Sequence, residues 1–342
     1  MCKCEQVGLI FNVVLEGWEV SIQIFIGQDS VMKILVLIII IQFCFTSNVV
    51  WSSDESHSET IIYELLERKY GSSKVPVELF IPSKPKRTPV PLIITQHGSS
   101  RDGGFLRKSI VQTDEYSKRF VKAANERGFA IAVIDAFYNK GLKPSQKQKF
   151  PQAAVYGRQV AEKLSKNRKL DPNNFFYTGF SYGAHQALMM FKKLEFLDNL
   201  KWAGVVAAEP PCTTFIEPQN FPVPLLILKG GESHYTPIPC VKLTKLYKKV
   251  GADVELIIFE KSNHFFSHNG TIGKGIAFNG CDDNPVIINK SRRGAVFLDG
   301  TKATRAIINK KCFTKTSGSG KSREDLDRAI KSALDFIKSN LR

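Results

Sequence analysis

The residue with the clearest chemical signature is Ser181, at the centre of the pentapeptide Gly179-Phe180-Ser181-Tyr182-Gly183. An apolar, aromatic run (FFYT) precedes the pentapeptide, and a sequence typical of a helix follows it. A G-x-S-x-G nucleophile needs this strand–turn–helix context, because the turn is too tight for side chains at the two glycines and holds the hydroxyl at the edge of a sheet. The pattern therefore predicts that Ser181 is a nucleophile.

A histidine later in the chain is the candidate base that accepts the proton of the serine hydroxyl. In the chain order Ser…Asp/Glu…His, the histidine follows the last strand of the sheet. His264 stands five residues after Phe259, at which the last predicted strand ends, whereas His268 lies further along the same loop. We therefore expect His264 to be the base, with His268 as the alternative. We interpret His97 and His185 as structural.

The loop after the predicted strand 91–95 is a candidate for half of an oxyanion hole, which needs two backbone N–H donors. This loop reads QHGSS, and its glycine allows backbone amides to face inward. We expect one donor to be the amide of Ser99. The other is expected to be the amide of Tyr182, directly after the nucleophile.

Buried strands alternate with helices along most of the chain. Residues 61–68 and 75–81, separated by Gly71-Ser72-Ser73, predict an antiparallel hairpin. Further strands are predicted at 91–95, 129–135, before Ser181, and at 203–208, 224–229 and 254–259, with helices at 116–127, 153–164, after Ser181, and at 241–250 and 322–341. This alternation is typical of the α/β class and predicts a mainly parallel central sheet with helices on both faces.

The start of the chain has a pattern of its own. Met32-Lys33 is followed by twelve mostly apolar residues (ILVLIIIIQFCF), too few to cross a bilayer comfortably. This pattern is typical of a signal peptide, predicted at 32–51, with residues 1–31 as a non-native upstream extension. We expect cleavage between Thr46 and Ser53, with an uncleaved anchor as the alternative. The remainder, 52–342, is expected to be a single domain, secreted or periplasmic, with no stable membrane span.

Four cysteines remain in the predicted mature chain: Cys212, Cys240, Cys281 and Cys312. An even number of cysteines in an exported protein predicts two disulfides. Four cysteines allow three connectivities. The sequential pairing, Cys212–Cys240 and Cys281–Cys312, is preferred because it closes two loops of about thirty residues. Metal binding is the weaker interpretation, because the cysteine spacing matches no known ligand pattern. We expect neither a metal nor a cofactor.

The formal net charge of the chain is +16, which raises the question of an anionic partner such as a nucleic acid. Lys and Arg are scattered along the chain, without an arginine-rich arm, a zinc-ligand spacing or a basic run interleaved with aromatic residues. We therefore expect a lysine-rich, solvated surface and no nucleic-acid partner.

Several segments together resemble the dienelactone hydrolase-like branch of the α/β-hydrolase family, from about residue 91 to the C-terminus. They are QHGSS, VIDAFYNKG, LDPNNFFYTGFSYGA, PLLILKGGESHYTP and NHFF. The resemblance implies the α/β-hydrolase fold and hydrolysis of esters or lactones through an acyl-enzyme. Dienelactone hydrolases have a cysteine at the position of Ser181, so that the serine favours a general carboxylic-ester hydrolase.

The acid of the triad is where the chain departs from this family. The resemblance places an aspartate near position 233, whereas the chain has Glu232-Ser233-His234 there. Glu232 stands in the expected loop, and Glu209 directly follows the predicted strand 203–208. Since a triad is defined by geometry, either glutamate can orient the histidine, and Glu209 is slightly preferred. A third alternative is that the acid is absent and the enzyme weak or inactive, and His234 is then only a residue of the pocket wall.

The sequence thus predicts an exported serine hydrolase whose substrate is a small ester or lactone. Phe137 and Tyr138 are expected in an apolar substrate wall, and Arg101 and Lys140 would favour an acidic acyl group. Two alternatives stay open at this point: a non-catalytic binding protein on the same fold, and a small serine peptidase.

Overall fold

The computed structural model describes residues 7–15, 18–26, 57–99, 115–143, 146–191, 200, 202–264, 275–277, 279–289, 294–316, 318 and 324–342. Contacts divide the chain into two units, Met1–Asp54 and Glu55–Arg342. In the first unit, strand β1 (Val7–Leu15) pairs antiparallel with β2 (Trp18–Ile26), where the sequence predicts no element. The predicted signal peptide, 32–51, lies outside the described residues.

The second unit is built around an eight-stranded sheet. The strands of this unit are β3 (His57–Glu67), β4 (Gly71–Ile81), β5 (Val90–Gln96), β6 (Ala130–Ile134), β7 (Leu170–Phe180), β8 (Trp202–Ala208), β9 (Thr214–Ile216), β10 (Leu225–Gly230), β11 (Val254–Phe259), β12 (Gly275–Ala277), β13 (Val286–Asn289), β14 (Gly294–Phe297) and β15 (Thr314–Thr316). The helices in the described residues are α1 (Glu115–Glu126), α2 (Ala153–Leu164), α3 (Tyr182–Met190), α4 (Ile238–Lys249), α5 (Arg305–Cys312) and α6 (Glu324–Ser339). Within the described ranges, no helix is both long and apolar enough to cross a membrane.

The strands of the large sheet lie in the order β3-β4-β6-β5-β7-β8-β10-β11. Strand β4 pairs antiparallel with β3 and β6, and the other neighbouring pairs are parallel. Parallel strands end at the same edge of a sheet, and ligands in open α/β sheets bind outside these carboxyl ends. The loops after β7, β8 and β11 therefore meet at one edge.

Helices cover both faces of this sheet, because side chains alternate between the faces along each strand. In β7, Phe175 and Tyr177 pack in one core with α2, α3 and α4, while Phe176 and Phe180 pack in a second core with α1 and α6. All four aromatic side chains are buried. The predicted fold class, an α/β fold with a mainly parallel sheet and helices on both faces, is confirmed.

Several short elements lie outside the large sheet and are not predicted from the sequence. Strand β13 pairs with β9 and β14, and β12 pairs with β15. With three or four residues each, these strands are too short to show a hydrophobic period. Two disulfides lie in the same region, Cys212–Cys240 and Cys281–Cys312. This is the sequential pairing that the sequence predicts.

Candidate active site

Ser181 occupies the sharp turn between β7 and α3, as the pentapeptide predicts. Its φ of 53° and ψ of −105° are unusual for a residue with a side chain. A Cβ at Gly179 would lie 2.4 Å from the backbone carbon of Gly183, and a Cβ at Gly183 would lie 2.1 Å from the carbonyl oxygen of Gln96. The turn therefore requires both glycines, and the helix can begin directly after the serine.

Three loops at the carboxyl edge of the sheet bring Ser181, His264 and Glu209 together. His264 Nε2 lies 2.8 Å from Ser181 Oγ, and His264 Nδ1 lies 2.8 Å from Glu209 Oε2. With the proton on Nδ1, the ring donates to the glutamate and accepts from the serine hydroxyl. Such an arrangement can take up the hydroxyl proton when the serine attacks a carbonyl. His268, the alternative base, lies outside the described residues.

The carboxylate bonded to His264 belongs to Glu209, the residue directly after β8. It is fully buried, with a positive φ of 62° that turns the chain at the strand end. Oε2 also accepts hydrogen bonds from Lys229 Nζ at 2.8 Å and Ser233 Oγ at 3.0 Å, and Oε1 accepts from the backbone N–H of Gly230. The carboxylate thus receives four donors from two loops and β10.

Glu232, the other candidate acid, occupies a different position. Glu232 is exposed, and its backbone N–H donates to the carbonyl oxygen of Ser262 at 3.0 Å. The loop that the resemblance assigns to the acid instead supplies Ser233, whose hydroxyl donates to Glu209. The loop after β10 therefore supports the carboxylate at this site, while the carboxylate itself comes from the loop after β8.

A buried lysine, Lys229 at the end of β10, is part of this site and was not predicted from the sequence. Its side chain and that of Glu209 are both 0% exposed. Burial raises the pKa of Glu209, but the Lys229 charge and the hydrogen bonds from His264 and Lys229 outweigh it, so that the pKa is lowered. Glu209 is therefore held ionised. The only signal in the sequence was a lysine inside an otherwise apolar strand, PLLILK.

The imidazole of His264 is held in its neutral form. Burial lowers its pKa, Glu209 acts in the opposite direction, and the charges of Lys229 and Lys147 lower it further, so that the net shift is downward. The rings of Tyr235 and His234 lie against it, with centroids 5.1 and 4.6 Å away. Burial and the neighbouring positive groups lower the pKa of His234 to about 2, so this second imidazole is also neutral.

A cavity of about 320 Å³ opens beside Ser181. Its wall contains Ser99 and Tyr182, the two residues predicted to supply oxyanion-hole amides. The remaining wall residues come mainly from the segment 147–152, from α3, and from the loops near β9 and α5: Lys147, Phe150, Pro151, Gln152, His185, Gln186, Pro211, Thr213, Thr214, Tyr235 and Phe313. The cavity thus combines aromatic surface with one lysine and several neutral polar groups.

The predicted aromatic wall needs a correction. Phe137 is 1% exposed and lies beneath the cavity, where its ring contacts the rings of Phe150 and Tyr182. Among the described residues that line the cavity, neither Phe137 nor Tyr138 is present. Phe137 packs into the core because Phe150, in the segment 147–152, covers it, whereas Tyr138 is half-buried outside the cavity wall. Lys140 is half-buried with its ammonium over the Tyr70 and Tyr156 rings, and Arg101 lies outside the described residues.

The two histidines interpreted as structural have different surroundings. His97 belongs to the loop that contains Ser99 and is fully buried, with Nδ1 2.7 Å from the carbonyl oxygen of Gly98 and Nε2 3.6 Å from Asp135 Oδ1. This position is consistent with a structural role. His185, in contrast, lines the cavity beside Ser181, so that the interpretation of it as purely structural is incomplete. In the described part of the chain, no group of three or more His, Cys, Asp and Glu is arranged to hold a metal ion.

The strand order, the turn at Ser181 and the histidine after the last strand of the sheet define an α/β-hydrolase fold. Residues 77–201 match the family model BD-FAE, which is of the α/β-hydrolase type. This match begins within β4 and ends beyond α3, so that it covers just over a third of the chain, including the turn at Ser181. The α/β-hydrolase fold itself is shown by the strand order and by the turn at Ser181, and it is the fold that the resemblance implies.

Solved structures with related folds include three hydrolases of low sequence identity. A putative dienelactone hydrolase from Klebsiella pneumoniae is 15% identical with a TM-score of 0.43, over 61% of this chain and 89% of that chain. A bacterial heroin esterase is 15% identical with a TM-score of 0.47, over 69% and 84%. A thermophilic esterase from Thermogutta terrifontis is 16% identical with a TM-score of 0.44, over 61% and 85%. A search of the curated proteins gives no match.

Proposed function

We propose that this protein is an exported serine hydrolase that cleaves carboxylic esters, including cyclic esters, through a Ser181–His264–Glu209 triad. The observation that carries the proposal is the pair of 2.8 Å contacts made by the two ring nitrogens of His264. The positive φ of Ser181 and the neutral state of His264 add support, since the nucleophile must be presented and its base unprotonated.

In the first half of the reaction, Ser181 Oγ attacks the carbonyl carbon of the ester while His264 Nε2 accepts the hydroxyl proton. Glu209 stabilises the imidazolium that forms and holds its Nδ1 proton. The backbone amides of Ser99 and Tyr182 receive the negative oxygen of the tetrahedral intermediate. The intermediate collapses when His264 returns the proton to the leaving alkoxide, which leaves an acyl-enzyme and a free alcohol.

In the second half, a water molecule attacks the acyl-enzyme, and His264 again accepts a proton. Collapse of the second tetrahedral intermediate breaks the bond to Ser181 Oγ, which recovers its proton from His264. The products are a carboxylic acid and the regenerated enzyme. In a lactone the alcohol and the acid belong to one molecule, so that the same steps open the ring.

Export is the second part of the proposal, and the two disulfides support it. Disulfides persist in oxidising compartments and are rare in the cytosol of mesophiles. Residues 32–51 would then be the signal peptide that delivers the chain to the cell exterior or the periplasm. Determination of the N-terminal residue of the protein recovered from its native compartment tests this part, with a start between Thr46 and Ser53 expected.

The triad is tested by treating the purified protein with a fluorophosphonate probe and mapping the adduct by mass spectrometry. Labelling is expected at Ser181 alone and is lost in Ser181→Ala. Glu209→Gln is expected to reduce kcat/KM for a p-nitrophenyl ester by about 10³–10⁴, because the amide stabilises the wrong imidazole tautomer. Glu232→Gln is the matched control and retains activity.

A folded protein that neither reacts with the probe nor hydrolyses any ester would contradict the hydrolase proposal and leave a binding protein on an α/β-hydrolase fold. Cleavage of peptide amides at a rate similar to that of esters would favour the small serine peptidase. Reversal of the two glutamine results would assign the acid to Glu232. Each alternative thus has an outcome of its own.

A further inference from the structure

A second and larger cavity, of about 700 Å³, lies between α2, α3 and the end of β3. Its wall includes Gln152, His185 and Gln186, which also line the cavity beside Ser181. The two cavities therefore adjoin each other along one turn of α3.

Arg158, on α2, is the notable charge in this second wall. The residue is only 9% exposed, and no hydrogen bond or ion pair is found for its guanidinium among the residues that the structure describes. Arginine stays protonated in proteins. Burial lowers the pKa of Arg158, and the phenol of Tyr177 acts against this. None of the guanidinium nitrogens is among the fully buried polar atoms, so that solvent, and therefore a ligand, can reach the group.

His185 supplies a second unpaired polar atom to the same wall. It is one turn of α3 beyond the nucleophile, and its backbone N–H donates to the carbonyl oxygen of Ser181 at 2.9 Å. In the part of the chain that is described, its Nδ1 is buried without a hydrogen-bond partner. Burial lowers the pKa of His185 to about 4, so that the ring is neutral and does not repel Arg158.

The acidic group in this wall, Glu67, is engaged by backbone N–H groups. Its Oε1 accepts from the backbone N–H of Tyr70 at 2.6 Å, and its Oε2 accepts from the backbone N–H of Gln152 at 3.5 Å. Described ion pairs do not include one between Glu67 and Arg158. Glu67 therefore leaves the charge of Arg158 available to a ligand.

We propose that Arg158 and His185 form a subsite that binds a carboxylate on the substrate, so that the preferred esters carry a second acidic group. This inference rests on the proposed ester hydrolysis at Ser181. A guanidinium binds a carboxylate through two parallel hydrogen bonds, which fixes both its position and its orientation. Sulfonates or phosphates of similar reach share this chemistry in part, but a planar carboxylate matches the fork of arginine best.

The helix that leads from Ser181 into this wall provides a scale for the length of the substrate. His185 is one turn of α3 beyond Ser181 and Met189, also in the second wall, is two turns beyond it. One to two helical turns correspond to about 5–11 Å. A spacer of roughly four to six carbon atoms between the scissile carbonyl and the carboxylate spans this distance, given bonds of about 1.5 Å. Esters of medium-chain dicarboxylic acids fit this description.

The test compares two esters that differ only in the terminal group, p-nitrophenyl hexanoate and mono-p-nitrophenyl adipate. The selectivity ratio, kcat/KM of the adipate ester over that of the hexanoate ester, is expected to exceed one in the wild-type protein. Arg158→Gln is expected to lower this ratio about 10- to 100-fold, the range for loss of hydrogen bonds to a charged group. Arg158→Lys retains part of the ratio, because it keeps the charge but loses the fork.

Arg168→Gln is the matched control, since it removes the same charge from an exposed position outside both cavity walls. The control is expected to leave the ratio unchanged, which separates the subsite from the general attraction of a positive protein. A second readout needs no catalysis: calorimetric binding of adipate to Ser181→Ala, which the additional change Arg158→Gln weakens by a similar factor.

The outcomes of the two proposals are distinguishable. Hydrolysis of both esters with a ratio near one, unchanged in Arg158→Gln and Arg158→Lys, overturns the subsite and leaves the hydrolase intact. Binding of adipate to Ser181→Ala without hydrolysis of either ester by the wild type supports the subsite and overturns the proposed function. An equal fall in the Arg168→Gln control also overturns the subsite, because the preference then arises from net charge.

Discussion

Lys229→Met is the substitution that best tests how the site is assembled. The change removes the ammonium group but keeps an unbranched apolar chain of similar reach. In the native protein Lys229 Nζ lies 2.8 Å from Glu209 Oε2 and 3.3 Å from Ser233 Oγ, and the lysine is fully buried. Its removal leaves the buried carboxylate with only His264, Ser233 and the amide of Gly230 as donors.

The cost in stability follows from the loss of one partner in a buried ion pair. Such losses destabilise proteins by about 3–5 kcal/mol, because the other charge stays buried without compensation. For a unit the size of Glu55–Arg342 this corresponds to a fall in Tm of about 5–8 °C, given an entropy of unfolding of about 2.1 cal/mol/K per residue. Both side chains are at 0% exposure, so that solvent screening does not reduce this estimate.

The substitution also has a signature in catalysis. Lys229 lowers the pKa of Glu209 and that of His264, so its removal raises both. The active form has an ionised glutamate and a neutral imidazole. A higher pKa of either group therefore moves the acid limb of the pH profile, the fall of kcat/KM at low pH, to higher pH. The measurement is a pH profile of p-nitrophenyl ester hydrolysis, with Lys242→Met as the control. Lys242 is also paired with an aspartate, but that partner, Asp283, is almost fully exposed.

A purely structural role for Lys229 would lower Tm and leave the acid limb in place. An acid limb of Lys229→Met that coincides with that of the wild type, in a protein that is folded at the assay temperature, refutes the electrostatic reasoning. A shift of equal size in Lys242→Met would refute it as well. Activity that recovers at higher pH in Lys229→Met alone supports it.

Two further predictions concern the same site, and a third concerns one of the disulfides. In the wild-type protein, the midpoint of the low-pH fall in kcat/KM is expected below pH 6.5, because burial lowers the pKa of His264 and the neutral imidazole is the active form. A pH profile with a midpoint above 6.5 would contradict this. Gly183→Ala is expected to lower kcat/KM at least about 100-fold, because the new methyl group would lie 2.1 Å from the carbonyl oxygen of Gln96 and would displace the loop that contains Ser99. Steady-state kinetics measure the loss, and full activity of the folded variant would contradict the close packing of Gly183 on Gln96. Replacement of both Cys212 and Cys240 by serine is expected to lower the free energy of unfolding by about 3–4 kcal/mol, since their bridge closes a loop with a separation of 28 residues. Denaturant unfolding measures the loss, and an unchanged midpoint would show that the bridge does not form.

The residues proposed as nucleophile and base could be located from the sequence because each depends on local sequence and chain order. The glycines around Ser181 are required by a steric clash within one turn, and this requirement is visible in five consecutive residues. His264 follows the last strand of the large sheet, so its position follows from counting strands. The larger elements were predicted with ends that differ by a few residues, since long apolar runs have few alternative structures.

The remaining parts of the site depend on distances between segments far apart in the sequence. Glu209 and Glu232 were both compatible with the motif order, and only the packing of the loops after β8 and β10 brings Glu209 Oε2 within 2.8 Å of His264. Phe137 is an aromatic residue of the kind that often lines a pocket, but the segment 147–152 covers it. Whether a side chain lines a cavity or lies beneath one is decided by what packs on top of it.

The sequence by itself determined the class of fold, the serine, the histidine, the sequential cysteine pairs and a short list of candidate acids. These are properties of periodic patterns, tight turns and spacing, which act over a few neighbouring residues. Only the tertiary structure decided which glutamate meets the imidazole, that Lys229 is buried against this glutamate, and that Arg158 lines the second cavity without an ion pair among the described residues. The energy of a buried charge depends on its partners and on its distance from water, and the folded chain alone defines both.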